Sequence, residues 1–142
     1  MKKRKFSAFD RTKISNQEAR TPEELYKQLD EEFHFDFDPC PSNPTFDGLK
    51  IEWGKSNYVN PPYANKKPWI KKAIEEWKKG KTVVMLLPAD TSTSWFHDLI
   101  IPNATEIRFI RGRIKFLPYN SPAKFPCMVV IFKHKCDYKW TT

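Results

Sequence analysis

The sequence predicts an α/β domain with a mostly parallel sheet that ends in an antiparallel C-terminal edge. Three observations point there. Strand-like and helix-like stretches alternate along the chain, as they do when helices cross over between parallel strands. The run Thr82-Val83-Val84-Met85-Leu86-Leu87-Pro88 is continuously apolar and β-branched, which suits a strand buried on both faces. The chain then closes with two strand-like runs and no helix between them, so those two should pair antiparallel.

The elements follow in order. Residues 1–19 are polar and basic without sustained period and read as an arm free to be flexible; residues 20–142 read as one domain. Thr21-Pro22-Glu23-Glu24 is a helix start, with Thr21 at the N-cap, Pro22 at the first position and Glu24 closing a capping box. Leu25, Leu29 and Phe33 recur at helical spacing, predicting an amphipathic helix to about Glu32. Phe33 to Asp38 alternates aromatic with polar and predicts a strand stopped by Pro39-Cys40-Pro41. From Ser42 to Lys55 turn signals dominate, with Leu49–Trp53 open to a short strand or a single turn. Asn57 to Asn60 is a strand. Pro68 to Lys79 is a helix with Trp69, Ile70, Ala73, Ile74 and Trp77 on one stripe, ended by Gly80. After the Thr82–Pro88 strand come a polar turn and a short helix from Ser94 to Ile101, broken by Pro102-Asn103. Glu106–Phe109 and Cys127–Phe132 are the closing strands, separated by Arg111-Gly112-Arg113 and a Pro-rich loop over 117–126.

A chain of 142 residues, 39% hydrophobic and 15% aromatic, can bury one core. No apolar run approaches the roughly 20 residues of a membrane span, and no apolar segment follows the basic start Met1-Lys2-Lys3-Arg4-Lys5, so a cytoplasmic protein without a secretory leader is expected. Cys40, Cys127 and Cys136 form no CxxC pair, and neither a metal site nor a disulfide framework is expected. The net charge of +8 makes nucleic acid the natural partner.

The chemistry gathers at Asn60-Pro61-Pro62-Tyr63. Two prolines stiffen the chain as it leaves a strand and remove two backbone donors. They place an amide, two carbonyls and an aromatic ring at a strand's carboxyl end, where ligands bind in open α/β sheets. The bland alternative is a Pro-Pro turn with a satisfied Asn and a half-buried Tyr. An exocyclic amine is a poor nucleophile, because its lone pair is delocalised into the ring. Acceptors for both amine protons, the Asn60 side-chain oxygen and the Pro61 carbonyl, would return density to nitrogen. Tyr63 offers a face for a base taken out of its helix. Attack on a sulfonium methyl then needs only positioning. Asp38 and Pro39, with Thr21-Pro22 folding over them, are the candidates for a methyl-donor pocket; Asp38 also reads as a turn cap. Trp95 and His97 read as core and cap residues.

Thr21-Pro22-x-x-Leu25, Glu32-Phe33-His34-Phe35-x-x-Asp38, Asn60-Pro61-Pro62-Tyr63, Val83 to Pro88, Thr93-x-Trp95-Phe96-His97 and Ile107 to Phe116 together resemble the phage-type DNA N-6-adenine methyltransferases, over about residues 16 to 132. The resemblance implies a reduced Rossmann-like fold, S-adenosyl-L-methionine as donor, and a flipped adenine in double-stranded DNA as acceptor. It implies Asn60, Pro61, Pro62 and Tyr63 as catalytic. Thr21, Pro22, Asp38, Pro39 and Cys40 would then line the donor pocket. A phage or prophage protein in a bacterial cytoplasm, in a restriction–modification setting, is its context. The turn Pro39-Cys40-Pro41-Ser42 lacks the glycines of larger methyltransferases, which leaves Asp47 and Trp53 as candidates for the donor's adenosine. The basic arm, Lys66, Lys67, Arg111 and Arg113 remain to hold DNA; phosphate contacts of that kind position a duplex without reading sequence, and Arg111-Gly112-Arg113 also reads as a solvated turn. Two other readings stay open: a non-catalytic nucleic-acid-binding module, and methylation of RNA adenine or a protein amide.

Overall fold

A computed structural model describes residues 21–41, 44–115 and 125–134 of the chain. The expected arm over 1–19, most of the Pro-rich loop and Cys136 lie outside the described residues. The elements are α1 (Glu23–Phe33), β1 (Ser56–Val59), α2 (Lys66–Lys78), β2 (Thr82–Pro88), α3 (Ile101–Asn103), β3 (Glu106–Phe109) and β4 (Cys127–Phe132). A 3-10 turn, Tyr63–Asn65, leads into α2, and a π-helical segment, Phe96–Ile100, leads into α3.

The four strands lie in the order β1-β2-β4-β3. Only β1 and β2 pair in parallel, while β4 is antiparallel to both β2 and β3. The sheet is therefore mixed, which corrects the expectation of a mostly parallel one. β4 returns antiparallel to β3, and it inserts between β3 and β2 instead of adding at the margin. β1, β2 and β3 nonetheless run in one direction, and their carboxyl ends share one edge of the sheet.

The strand expected from Phe33 to Asp38 shrinks to a single parallel bridge, Phe37 with Asn57. Phe33 is absorbed into α1, and His34 turns the chain with φ 52° as its N–H reaches the Asp30 carbonyl at 2.8 Å. The Asp36 carboxylate then accepts from the Lys55 and Ser56 N–H groups, where a longer ladder would have run. Leu49–Trp53 is a turn, not a strand. Pro102 and Asn103 do not break their helix but lie inside α3. The preceding turn is already wound wide, Ile101 N–H reaching the Phe96 carbonyl, and a proline with no N–H to give is tolerated there.

Side chains alternate across the sheet and fill two apolar layers. On one side Val59, Val83, Met85, Met128 and Val130 meet Trp69, Ile70 and Ala73 of α2, with Phe96 and Ile100. On the other, Tyr58, Val84, Leu86, Val129 and Ile131 meet Leu29 of α1, with Leu25, Tyr26 and Phe33 beside it. Each fully buried aliphatic chain contributes about 1.5–3 kcal/mol. β2 and β4 are apolar on both faces, so alternation alone cannot set their register. Backbone bonds at the strand ends help pin it: Thr82 N–H to the Lys55 carbonyl at 2.9 Å and Ala89 N–H to the Pro126 carbonyl at 2.8 Å.

A charged clamp holds the amino-terminal edge of the β1–β2 pair. Glu76 of α2 is fully buried, and its carboxylate takes Lys72 at 2.9 Å, Lys79 at 3.1 Å, Lys81 at 2.5 Å and the Trp53 N–H at 3.2 Å. Burial works to raise its pKa, but those hydrogen bonds prevail and hold it at about 2. Nearby, the buried Asn57 amide bonds Gly54 N–H and the Gly54 and Thr82 carbonyls.

Candidate functional site

The opposite edge is different. Because β1, β2 and β3 run the same way, their exits lie together: Asn60 after β1, Asp90 after β2 and Arg111 after β3. The entry to the reversed β4, with Phe125, joins them. Asp38, one residue beyond the Phe37 bridge, lies at the same edge.

Asn60 sits one residue past β1, half-buried, with Pro61 buried behind it. Its side-chain Nδ2 donates to Thr21 Oγ1 at 3.3 Å, and Thr21 Oγ1 is 2.5 Å from the Tyr58 hydroxyl. Thr21 is not the N-cap of α1 as expected: Pro22 holds that position, and no side-chain cap bond forms. The hydroxyl expected to cap the helix instead reaches across to β1. The candidate donor turn, Thr21-Pro22, and the Asn60 motif are thereby in direct hydrogen-bond contact.

Tyr63 opens the 3-10 turn, and its ring stacks on Phe125 with centroids 4.6 Å apart and planes 9° from parallel. Lys66 fixes the same residue, donating to the Tyr63 carbonyl at 2.6 Å with its ammonium 4.3 Å from the Tyr63 ring centre and 5.6 Å from that of Trp95. Burial lowers the Lys66 pKa, against an opposing pull from Asp90. Lys66, expected to face DNA, is thus turned inward onto the motif, whereas Lys67 beside it is exposed.

Asp38 closes a tight turn, its Oδ1 accepting the Cys40 N–H at 2.9 Å. Pro39 is buried and Cys40 half-buried. The turn has no glycine of its own, but Gly48 packs against it from the following loop. A Cβ on Gly48 would lie 1.9 Å from the Pro39 carbonyl oxygen, so only glycine allows that approach. Tyr26 bridges this turn to the Asn60 side: its ring meets Tyr58 edge-on at 5.2 Å, and burial, then Asp30 and Asp38, raise its pKa. Asp47 caps its own turn by accepting the Leu49 N–H, and Trp53 is buried in the core with its indole N–H on the Gly48 carbonyl at 2.7 Å.

Arg111 and Arg113 are exposed on either side of Gly112, whose φ is 74°. Arg108, in β3, is occupied structurally, forking onto Glu32 of α1 with both bonds at 2.7 Å. Burial pushes the Cys127 thiol up to about 12, so it is inert. Among the described residues no helix is long and apolar enough to cross a membrane, and no cluster of metal-ligating side chains occurs.

Tyr58, Tyr26 and Phe125 belong to this site although sequence reasoning left Tyr58 in a short apolar strand, Tyr26 on the first helix and Phe125 in the Pro-rich loop. Alternation along β1 puts Tyr58 on the α1 face, and that signal could have been used. Nothing local foretold that Phe125 would return to Tyr63, since 62 positions of chain separate them.

Comparison with known proteins places the whole chain, not the individual site residues, in a family. A family model described as DNA N-6-adenine-methyltransferase (Dam) matches residues 11–137. A DNA N-6-adenine-methyltransferase of Haemophilus phage HP1 (strain HP1c1) is 35% identical over 122 residues, covering 73% of this chain and 70% of that protein. One of Escherichia phage T1 is 47% identical over 66 residues, which are 45% of this chain and 27% of that protein.

Proposed function

The chain belongs to the DNA N-6-adenine-methyltransferase family, and from that premise we propose that it moves a methyl group from S-adenosylmethionine to the exocyclic N-6 amine of an adenine taken out of duplex DNA. The observation that carries this reading is the Thr21–Asn60 hydrogen bond, because it joins the turn assigned to the donor to the motif assigned to the acceptor. A two-substrate reaction that proceeds by approach and alignment needs that adjacency.

Asn60 Oδ1 and the Pro61 carbonyl accept the two amine protons and raise the electron density on nitrogen. The prolines remove the backbone donors that would compete for the same acceptors. Tyr63 supplies the stacking face. Phe125 now covers a face of Tyr63, and a base entering between the rings needs about twice the ~3.4 Å stacking spacing of DNA, so Phe125 moves outward by roughly 2 Å as the base enters. Lys66 holds Tyr63 from behind through its carbonyl and ring.

The donor would be held by Thr21-Pro22 and by the Asp38-Pro39-Cys40 turn backed by Gly48, on a reduced Rossmann-like framework. Its sulfonium supplies the electrophilic methyl group, and Asp38 offers it a carboxylate one residue past the Phe37 bridge. Lys67, Arg111 and Arg113, exposed at this edge or beside it, contact phosphates and position the duplex.

Incubation of the protein with tritiated S-adenosylmethionine and unmethylated DNA, followed by nucleoside analysis, tests this. Label is expected on the N-6 position of adenine. Absence of label from a preparation that binds the donor overturns the reading, and label on RNA adenine or on a protein amide in preference to DNA overturns the assigned acceptor.

A further inference from the structure

We propose that the Tyr58–Thr21 hydroxyl pair decides which way the Asn60 amide faces, and hence whether an oxygen or an NH2 group meets the acceptor amine. The proposal rests on the reading of Asn60 as the acceptor of amine protons. An asparagine amide has two nearly isosteric ends of opposite hydrogen-bonding sense. Only the oxygen end can draw protons from an amine; the NH2 end would set donor against donor. Something in the protein must choose between the two orientations.

In the structure Nδ2 faces Thr21 Oγ1 at 3.3 Å, which aims Oδ1 away from Thr21. A threonine hydroxyl has one proton and two lone pairs. If its proton goes to the Tyr58 oxygen, 2.5 Å away, Thr21 presents only lone pairs to Asn60, and the amide must offer its NH2. Without that taker, the Thr21 proton is available to Asn60 Oδ1, and the amide turns over. Tyr58 is suited to the task because it cannot move. It is 3% exposed, paired with Val84 in the sheet, and held edge-on by Tyr26 at 5.2 Å and against Phe35 at 5.4 Å. Thr21 is likewise held at the entry to α1, where no capping bond competes for its hydroxyl. The pair acts through Asn60, so both are positioning residues.

Steady-state kinetics on Tyr58→Phe, Thr21→Val and Thr21→Ser test the proposal. Tyr58→Phe and Thr21→Val are each expected to lower kcat about 10- to 30-fold, the worth of one misdirected hydrogen bond. KM for DNA should stay within about twofold under Tyr58→Phe, as should the donor's Kd, because neither binding step uses the amide's orientation. Thr21→Ser, which keeps the hydroxyl, should recover most of the kcat that Thr21→Val loses. The sharper test repeats Tyr58→Phe in an Asn60→Asp background. A carboxylate has two acceptor oxygens and no orientation to choose, so the same substitution should there cost less than about threefold. An equal loss in both backgrounds means that Tyr58 is merely structural and overturns the proposal. So does a Tyr58→Phe enzyme at wild-type kcat, or a loss that appears in donor Kd alone. Where the Asn60→Asp parent is too slow to assay, Thr21→Ser against Thr21→Val decides: equal rates overturn the proposal. Asn60→Ala separates the two levels. If it is inactive while Tyr58→Phe runs at the wild-type rate, only the positioning role falls; if Asn60→Ala is fully active, the reading of Asn60 falls with it.

Discussion

The two edges of the β1–β2 pair hold their polar groups in opposite ways. At the amino-terminal edge the Glu76 carboxylate is saturated, with Lys72, Lys79, Lys81 and the Trp53 N–H all upon it. At the carboxyl-terminal edge, the contacts are directional: a hydroxyl on an amide, an ammonium on a carbonyl, a ring on another. A saturated cluster fastens strands and helix together and has no capacity left for a ligand. Directional contacts aim groups and can yield to a substrate. Under the proposed function, stability and chemistry are separated by the length of a strand, which lets one edge vary without loosening the other.

That separation can be broken from either side. The largest expected effect is at the carboxyl edge: Asn60→Ala should lower kcat by roughly 10²- to 10³-fold while the thermal midpoint stays where it was, as a radiolabel assay and calorimetry would show. Next, at the other edge, Glu76→Gln leaves three lysines facing a neutral group and should cost about 3 kcal/mol of stability in denaturant titration, with activity per folded molecule unchanged. The same carboxylate gives a pH signature. Its folded pKa of about 2 is below the usual 4.5, so folding favours the charged form. Its stabilisation is complete above about pH 5 and drains away as pH falls toward 2. The thermal midpoint of Glu76→Gln should therefore fall less steeply over that window than that of wild type. A wild-type midpoint that is flat there would contradict the clamp.

Smaller effects test the parts in between. Gly48→Ala drives a Cβ into the Pro39 carbonyl and should cost about 1–3 kcal/mol, with a weaker donor Kd by titration calorimetry. Lys66→Met should lower kcat about tenfold, the worth of one partly buried cation–π contact, and leave the salt dependence of DNA binding untouched. Lys67→Ala should do the reverse, keeping kcat while reducing the salt slope by about one. A salt slope that changes with Lys66 instead would return that residue to the phosphates.

Much of this was legible along the chain. The Asn60–Tyr63 motif, the α2 stripe and the buried β2 run all declare themselves locally, since prolines, helical period and β-branching act within a few residues. The misreadings arose where a group had two local uses and a distant partner chose between them. Thr21 has the chemistry of an N-cap, but Tyr58 and Asn60 took its hydroxyl. Lys66 has the chemistry of a phosphate contact, but Tyr63 and Trp95 drew it inward. Phe33 to Asp38 has the period of a strand, but helix α1 and the Asp36 carboxylate claimed its two ends.

The sequence by itself determined which segments would bury and where the Asn60 amide, the prolines and the Tyr63 ring would stand, because hydrophobic period and proline geometry are local properties of the chain. Only the tertiary structure decided that β4 would enter reversed between β2 and β3, that Phe125 would come to rest on Tyr63, and that Thr21 would meet the Asn60 amide. Each of those depends on partners far apart in the chain, whose meeting is settled by how two apolar faces of one sheet are covered at once.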